Sequence, residues 1–188
     1  MTTIAYKDGV MASDSLAAAG TMNTGDTPKV FRIHGCLVGI SGTARLIRVF
    51  TDWFAEHMDS GDVPPIAPNF LEPKVGSEDS IYAIVVTPNG KIWKYEDGLA
   101  PWPLDCKFIA CGSGRDFAMG AMAMGAGAVK AVEVAKSLDA FTGGKTVAFT
   151  LGLPRKSKKG VKKAKPILPK REINMFPKIG GLNGRRPV

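Results

Sequence analysis

The run Ile81-Tyr82-Ala83-Ile84-Val85-Val86, entered from Ser80, is apolar on both faces of a strand. Successive strand side chains point to opposite sides, so this segment has no side to offer to water. It is predicted to be a central strand, covered above and below. Thr87-Pro88-Asn89-Gly90 follows it. Asn-Gly suits a tight hairpin because both residues tolerate positive φ, and Lys91 to Tyr95 is then the returning strand.

The remaining elements are read outward from that hairpin. Residues 2–6 and 10–13 are predicted strands joined by Lys7-Asp8-Gly9. Residues 15–28, small and polar with Gly20, Gly25 and Pro28, are predicted to be loop. Lys29–Ile33 and Cys36–Ser41 form another strand pair around His34-Gly35. From Thr43 to Met58 the period turns helical, with Leu46, Ile47, Phe50 and Phe54 on one face and Arg45, Arg48, Asp52 and Glu56 elsewhere. Residues 59–77 hold four prolines and read as a surface excursion. Lys107–Cys111 is a strand ending at Gly112-Ser113-Gly114. Two helices follow, near 115–124 and 128–140, the second predicted to bury Val129, Val132, Ala135 and Leu138. Lys145–Leu151 is the last strand. This order predicts an α+β sandwich with helices outside antiparallel sheets.

Charge divides the chain. Residues 155–188 hold 12 Lys and Arg against one acid, Glu172, a balance of +11; the remaining 13 basic and 16 acidic residues leave the body at −3. The basic character therefore belongs to the tail, and the body shows no nucleic-acid signature. No apolar run approaches the roughly 18 residues of a membrane span. No signal-peptide pattern opens the chain, because Lys7 and Asp8 break its first apolar segment. Cys36, Cys106 and Cys111 are odd in number and without paired spacing, which predicts reduced thiols in the cytoplasm. His34 and Cys36 have no second ligand pair, so neither a metal site nor a cofactor is expected.

The first residues carry chemistry of their own. Thr2 is small enough for initiator Met1 to be removed ahead of it. A terminal threonine presents its α-amine, with a pKa of about 7.7–8, beside its own hydroxyl. The amine can then take the hydroxyl proton, so that nucleophile and base come from one residue. With Met1 retained, that chemistry is blocked.

Thr2-Thr3, Asp8-Gly9-Val10, Ala12-Ser13-Asp14, Lys29-Val30, Gly39-Ile40-Ser41-Gly42-Thr43, Gly112-Ser113-Gly114 and the segment from Asp139 to Gly143 occur in an order and spacing that carry a resemblance. Over about residues 2–151 the chain resembles the proteasome β-subunit and HslV-type branch of the N-terminal nucleophile hydrolases. The resemblance implies a four-layer αββα sandwich and a threonine peptidase assembled as a homo-oligomeric ring. Peptides or unfolded proteins would be its substrates, and an ATPase unfoldase would be a possible partner. It implies Thr2 as nucleophile, Lys29 as the cation beside the amine, Asp14 as the carboxylate holding that lysine and Gly42 as an oxyanion-hole N–H. Ser113, Asp139 and Thr142 match its supporting residues around the amine. The substrate pocket would be lined by Ala17, Thr27, Phe31, Ile40 and Ala44. No carboxylate or lysine is among these five, which implies an apolar side chain N-terminal to the cut. Read singly, Lys29 is also a strand-edge surface lysine, Asp14 a turn residue, and Asp139 and Thr142 helix-end caps.

Residues 152–188 form a basic tail outside the family's common core. Lysine pairs, prolines and glycines predict an extended or disordered segment alone in water. Its apolar residues, among them Ile167, Leu168 and Phe176, suit docking. The tail reads as a solubilising segment or as a means of attachment to nucleic acid or an acidic protein surface. Two other functions stay open: a catalytically silent assembly protein attached through this tail, and an N-terminal nucleophile amidase acting on a small molecule.

Overall fold

The computed structural model describes residues 2–19, 22–59, 63–67, 80–96 and 100–152. Met1, most of the 59–77 excursion and the basic tail lie outside the described residues. The body is a mixed α+β domain. Its strands are β1 Thr3–Lys7, β2 Val10–Ser13, β3 Leu16–Ala19, β4 Met22–Asp26, β5 Val30–Ile33, β6 Cys36–Gly42, β7 Ile81–Val86, β8 Ile92–Glu96, β9 Trp102–Leu104, β10 Phe108–Gly112 and β11 Val147–Thr150. Its helices are α1 Ala44–His57, α2 Arg115–Ala123 and α3 Ala128–Leu138.

The doubly apolar strand is central, as its sequence requires. β7 is the middle strand of a five-stranded antiparallel sheet ordered β5-β6-β7-β8-β9. On one face α1 lays Leu46, Ile47, Phe50, Trp53 and Phe54 against Val38, Ile40, Ala83, Val85 and Tyr95. Phe50 meets the Tyr95 ring edge-on at 5.1 Å between centroids. On the other face Leu37, Ile84, Val86 and Ile92 join Ile4, Tyr6 and Met11 in one buried cluster. Those three residues come from a second antiparallel sheet, ordered β10-β1-β2-β11. The second sheet's far face packs Ala5 and Ala12 against Ala118, Met122, Ala131, Val132 and Ala135 of α2 and α3.

Two expectations are corrected. The predicted loop at 15–28 contains a two-stranded sheet, with Leu16 paired to Asp26 and Ala19 to Met22. Its small side chains give no strand signal, but the pairing is made by the backbone. It is anchored from outside, because the N–H groups of Ser15 and Leu16 both donate to the Gly143 carbonyl at 3.1 Å. On α3, Val132 and Ala135 are buried as predicted, whereas Val129 is 43% and Leu138 59% exposed. Ala128 and Ala131 take the inward places instead. Opposite Ala5 and Ala12 the helix comes close to the sheet, and a stripe of small residues permits that approach. β9 was not foreseen; its Pro103 suits an edge strand, where a missing N–H costs least.

Candidate active site

Thr2 stands immediately before β1 and is 2% exposed. Its nitrogen lies 3.3 Å from Ser113 Oγ. β1 and β10 run antiparallel with Thr3 opposite Gly112, which brings the Gly-Ser-Gly segment beside the first residues. Gly112 has φ +94°, and a Cβ there would fall 1.9 Å from the Thr2 carbonyl oxygen. No other residue type satisfies both conditions. Ser113 Oγ donates to Asp139 Oδ2 at 2.7 Å, and Thr142 Oγ1 donates to the same oxygen at 2.5 Å. Burial pushes the Asp139 carboxyl up. Hydrogen bonds from Thr142, Ser113 and the Phe141 N–H outweigh it and hold the group below its ordinary value.

A second polar group lies beneath the start of β1. Lys29 and Asp14 are 3% and 0% exposed, so Lys29 is no surface lysine. Its Nζ lies 3.0 Å from each Asp14 oxygen and 2.8 Å from the Leu16 carbonyl. Asp14 also accepts from the N–H groups of Thr3, Leu16 and Gly143 at 2.8, 3.2 and 3.1 Å. Both oxygens of this buried side chain are thus supplied with donors, from Thr3 and Lys29 on Oδ1 and from Leu16, Gly143 and Lys29 on Oδ2. Burial pushes the Lys29 ammonium below its ordinary pKa, and the charge and hydrogen bond of Asp14 offset this only in part.

Gly42 ends β6 with φ +135°, and a Cβ there would lie 2.1 Å from the Ser80 carbonyl. Gly42, Gly112 and Ser113 line one cleft of about 830 Å³. Tyr82, Lys94 and Arg115, which the sequence reading passed over, line it too. None of the five predicted pocket residues lines that cleft. Ile40 is fully buried under α1 with Phe31 against the same cluster, and Ala44 is the exposed first residue of α1. Ala17 and Thr27 are half-buried, on β3 and just past β4. His34 and Cys36 do not meet as ligands: the His34 ring bonds the Ala55 carbonyl at 2.7 Å, and Cys36 is buried in the α1 cluster.

Thr3, unremarked in the sequence, sits between the two polar groups. This residue is fully buried, bonds Asp14 through its N–H and lies 2.6 Å from Thr142 through its hydroxyl. The Thr-Thr pair was the only available signal, because the contacts of the second threonine are distant in sequence.

No protein-family model and no curated protein matches the chain. Solved structures do. Thiobacillus denitrificans BPH in complex with epoxomicin is similar at TM-score 0.58 and 22% identity, over 80% of this chain and 98% of that one. A second structure of Thiobacillus denitrificans BPH is similar at TM-score 0.58 and 24% identity, over the same shares. The likeness is one of fold, and it spans nearly the whole of the BPH chain.

Proposed function

We propose that this protein is a threonine-type peptidase of the N-terminal nucleophile class, with Thr2 as nucleophile once Met1 is removed. The observation that carries the reading is the setting of Thr2. A buried threonine at the chain start has its nitrogen at a Ser113–Asp139 pair, next to a residue bonded to the buried Lys29–Asp14 pair. A structural strand start needs neither group. The order α1, five-stranded sheet, four-stranded sheet, α2 and α3 supports the four-layer sandwich the resemblance implies. That a fold neighbour was solved with epoxomicin supports a ligand-binding role for this fold.

In this mechanism the neutral Thr2 amine takes the proton from Thr2 Oγ1 as that oxygen attacks the peptide carbonyl carbon. The carbonyl electron pair moves onto oxygen, and the Gly42 N–H receives the oxyanion, worth about 3 kcal/mol. Collapse of the tetrahedral intermediate breaks the C–N bond. The proton held by the Thr2 amine passes to the departing amine, leaving an ester on Thr2. Water, deprotonated by the same amine, hydrolyses that ester. Lys29 keeps the Thr2 amine neutral near pH 7 by repelling its protonated form. Ser113, fixed by Asp139, holds the amine in place.

Rings are part of the proposal. Phe117, Met124, Val129, Leu138 and Phe141 are large apolar residues on or beside α2 and α3, and each is 41% exposed or more. That surface suits a second copy of the chain. The test is intact mass with activity: purified protein should lack Met1 and hydrolyse short fluorogenic peptides, and epoxomicin should block it. Thr2→Ala should stay folded and be inactive. Undiminished turnover in Thr2→Ala ends the reading.

A further inference from the structure

We propose that Thr3 is a positioning residue of this site, tying the Lys29–Asp14 pair to the Ser113–Asp139–Thr142 chain and setting how readily the Thr2 amine gives up its proton. The proposal rests on the peptidase reading above.

The directions of the hydrogen bonds follow from counting protons. Ionised Asp139 only accepts. Thr142 has one hydroxyl proton and gives it to Asp139 Oδ2 at 2.5 Å. In the 2.6 Å contact between Thr3 Oγ1 and Thr142 Oγ1, Thr3 is therefore the donor. Ser113 likewise spends its proton on Asp139 at 2.7 Å. Toward the Thr2 nitrogen at 3.3 Å it presents a lone pair. The chain reads Thr3 to Thr142 to Asp139, with Ser113 reaching the same Asp139 oxygen from the Thr2 side. No slack is built in: a Cβ on Gly114 would fall 2.1 Å from Thr3 Oγ1 and 2.9 Å from Thr142 Oγ1.

A hydroxyl that accepts a hydrogen bond donates a stronger one. Thr3 thus strengthens the hold of Thr142 on Asp139 and disperses the carboxylate charge. Without that donor, Asp139 draws harder on Ser113, and Ser113 on the protonated Thr2 amine. The ammonium form is then favoured, and the amine loses its proton at higher pH. The Thr3 N–H, bound to Asp14 at 2.8 Å, keeps the same residue in register with Lys29.

The experiment uses the full chain released from a cleavable leader with Thr2 as first residue, as wild type, Thr3→Val and Thr3→Ser. Valine keeps the shape and removes the donor; serine keeps the donor. Acylation of the Thr2 amine by acetic anhydride, followed by intact mass across pH, reads the amine directly. The midpoint should rise by about half a pH unit in Thr3→Val and return in Thr3→Ser. The acid limb of kcat/KM should move with it, kcat falling about tenfold with KM unchanged. If Thr3→Val does not fold, Thr3→Cys carries the same expectation, because a thiol is a poor donor. Equal midpoints in all three proteins overturn the proposal, as does a shift that serine does not reverse. Acylation needs no turnover, so wild-type protein that cleaves no peptide would sink the peptidase reading while this measurement still judged Thr3.

Discussion

Gly112, Lys29 and Asp139 each tie the fold to the proposed site. Alanine at Gly112 would need positive φ and a Cβ inside the Thr2 carbonyl. Gly112→Ala should cost about 1–3 kcal/mol of stability. It should also lower kcat/KM by about a hundredfold through displacement of Thr2, measured by urea unfolding and peptide turnover. Lys29 is the buried partner of Asp14. Lys29→Met strands a carboxylate among amide donors and should cost about 3–5 kcal/mol; adding Asp14→Asn should return part of that loss. Asp139 titrates below its ordinary 3.8 in the folded protein. A depressed carboxyl lends stability that is full above the unfolded value and lost as pH falls through the folded one. Melting temperatures of wild type and Asp139→Asn should therefore differ near neutral pH and converge as pH drops below about 3.8. A constant difference at all pH values would show that the charge of Asp139 does not stabilise the fold.

Helix α3 shows why periodicity alone assigns a helical face imperfectly. Val129 and Leu138 are the larger apolar residues and look like the core side, yet Ala128, Ala131, Val132 and Ala135 are the buried ones. The sheet opposite presents Ala5 and Ala12, and two small surfaces pack at short range. Ala131→Leu should overpack this contact and cost about 1–3 kcal/mol. Val129→Lys and Leu138→Lys should change stability by less than about 0.5 kcal/mol while dispersing any ring into smaller species. Sedimentation and thermal melts of the same samples separate the two effects. A stable lysine double variant that remains fully assembled would place the ring contact elsewhere.

For the whole molecule, the excess of basic charge and the residues proposed for catalysis fall in separate parts of the chain. Every residue proposed for catalysis lies between Thr2 and Thr142, while 12 of the 25 Lys and Arg lie in residues 155–188. Removing 155–188 should leave peptide turnover within about twofold, since rim charges act mainly on association. The same deletion should abolish salt-sensitive binding to a polyanion such as heparin. A truncated protein that folds, assembles and yet fails to cleave peptides would mean that the tail reaches the site.

Elements whose cause is local can be read from residue order alone. β7 is central because it has no polar face, the Asn89-Gly90 turn closes because Gly90 takes φ +85°, and α1 buries the stripe its period prescribes. Thr2, Asp14, Lys29 and Ser113 could be proposed for one site because residue type and order along the chain narrow the chemistry available to them, and the fold brings Asp14 to Lys29 and Ser113 to Thr2. Features that depend on partners distant in sequence emerge only in the folded chain. The β3–β4 pairing is made by backbone groups and anchored at Gly143. The inward face of α3 was chosen by the small residues of the sheet. Thr3 became a junction because Asp14 and Thr142, 11 and 139 residues away, converge on it. Local pattern reports which side a residue can bury and which bonds it can form; which residue meets it there is settled only when the layers close.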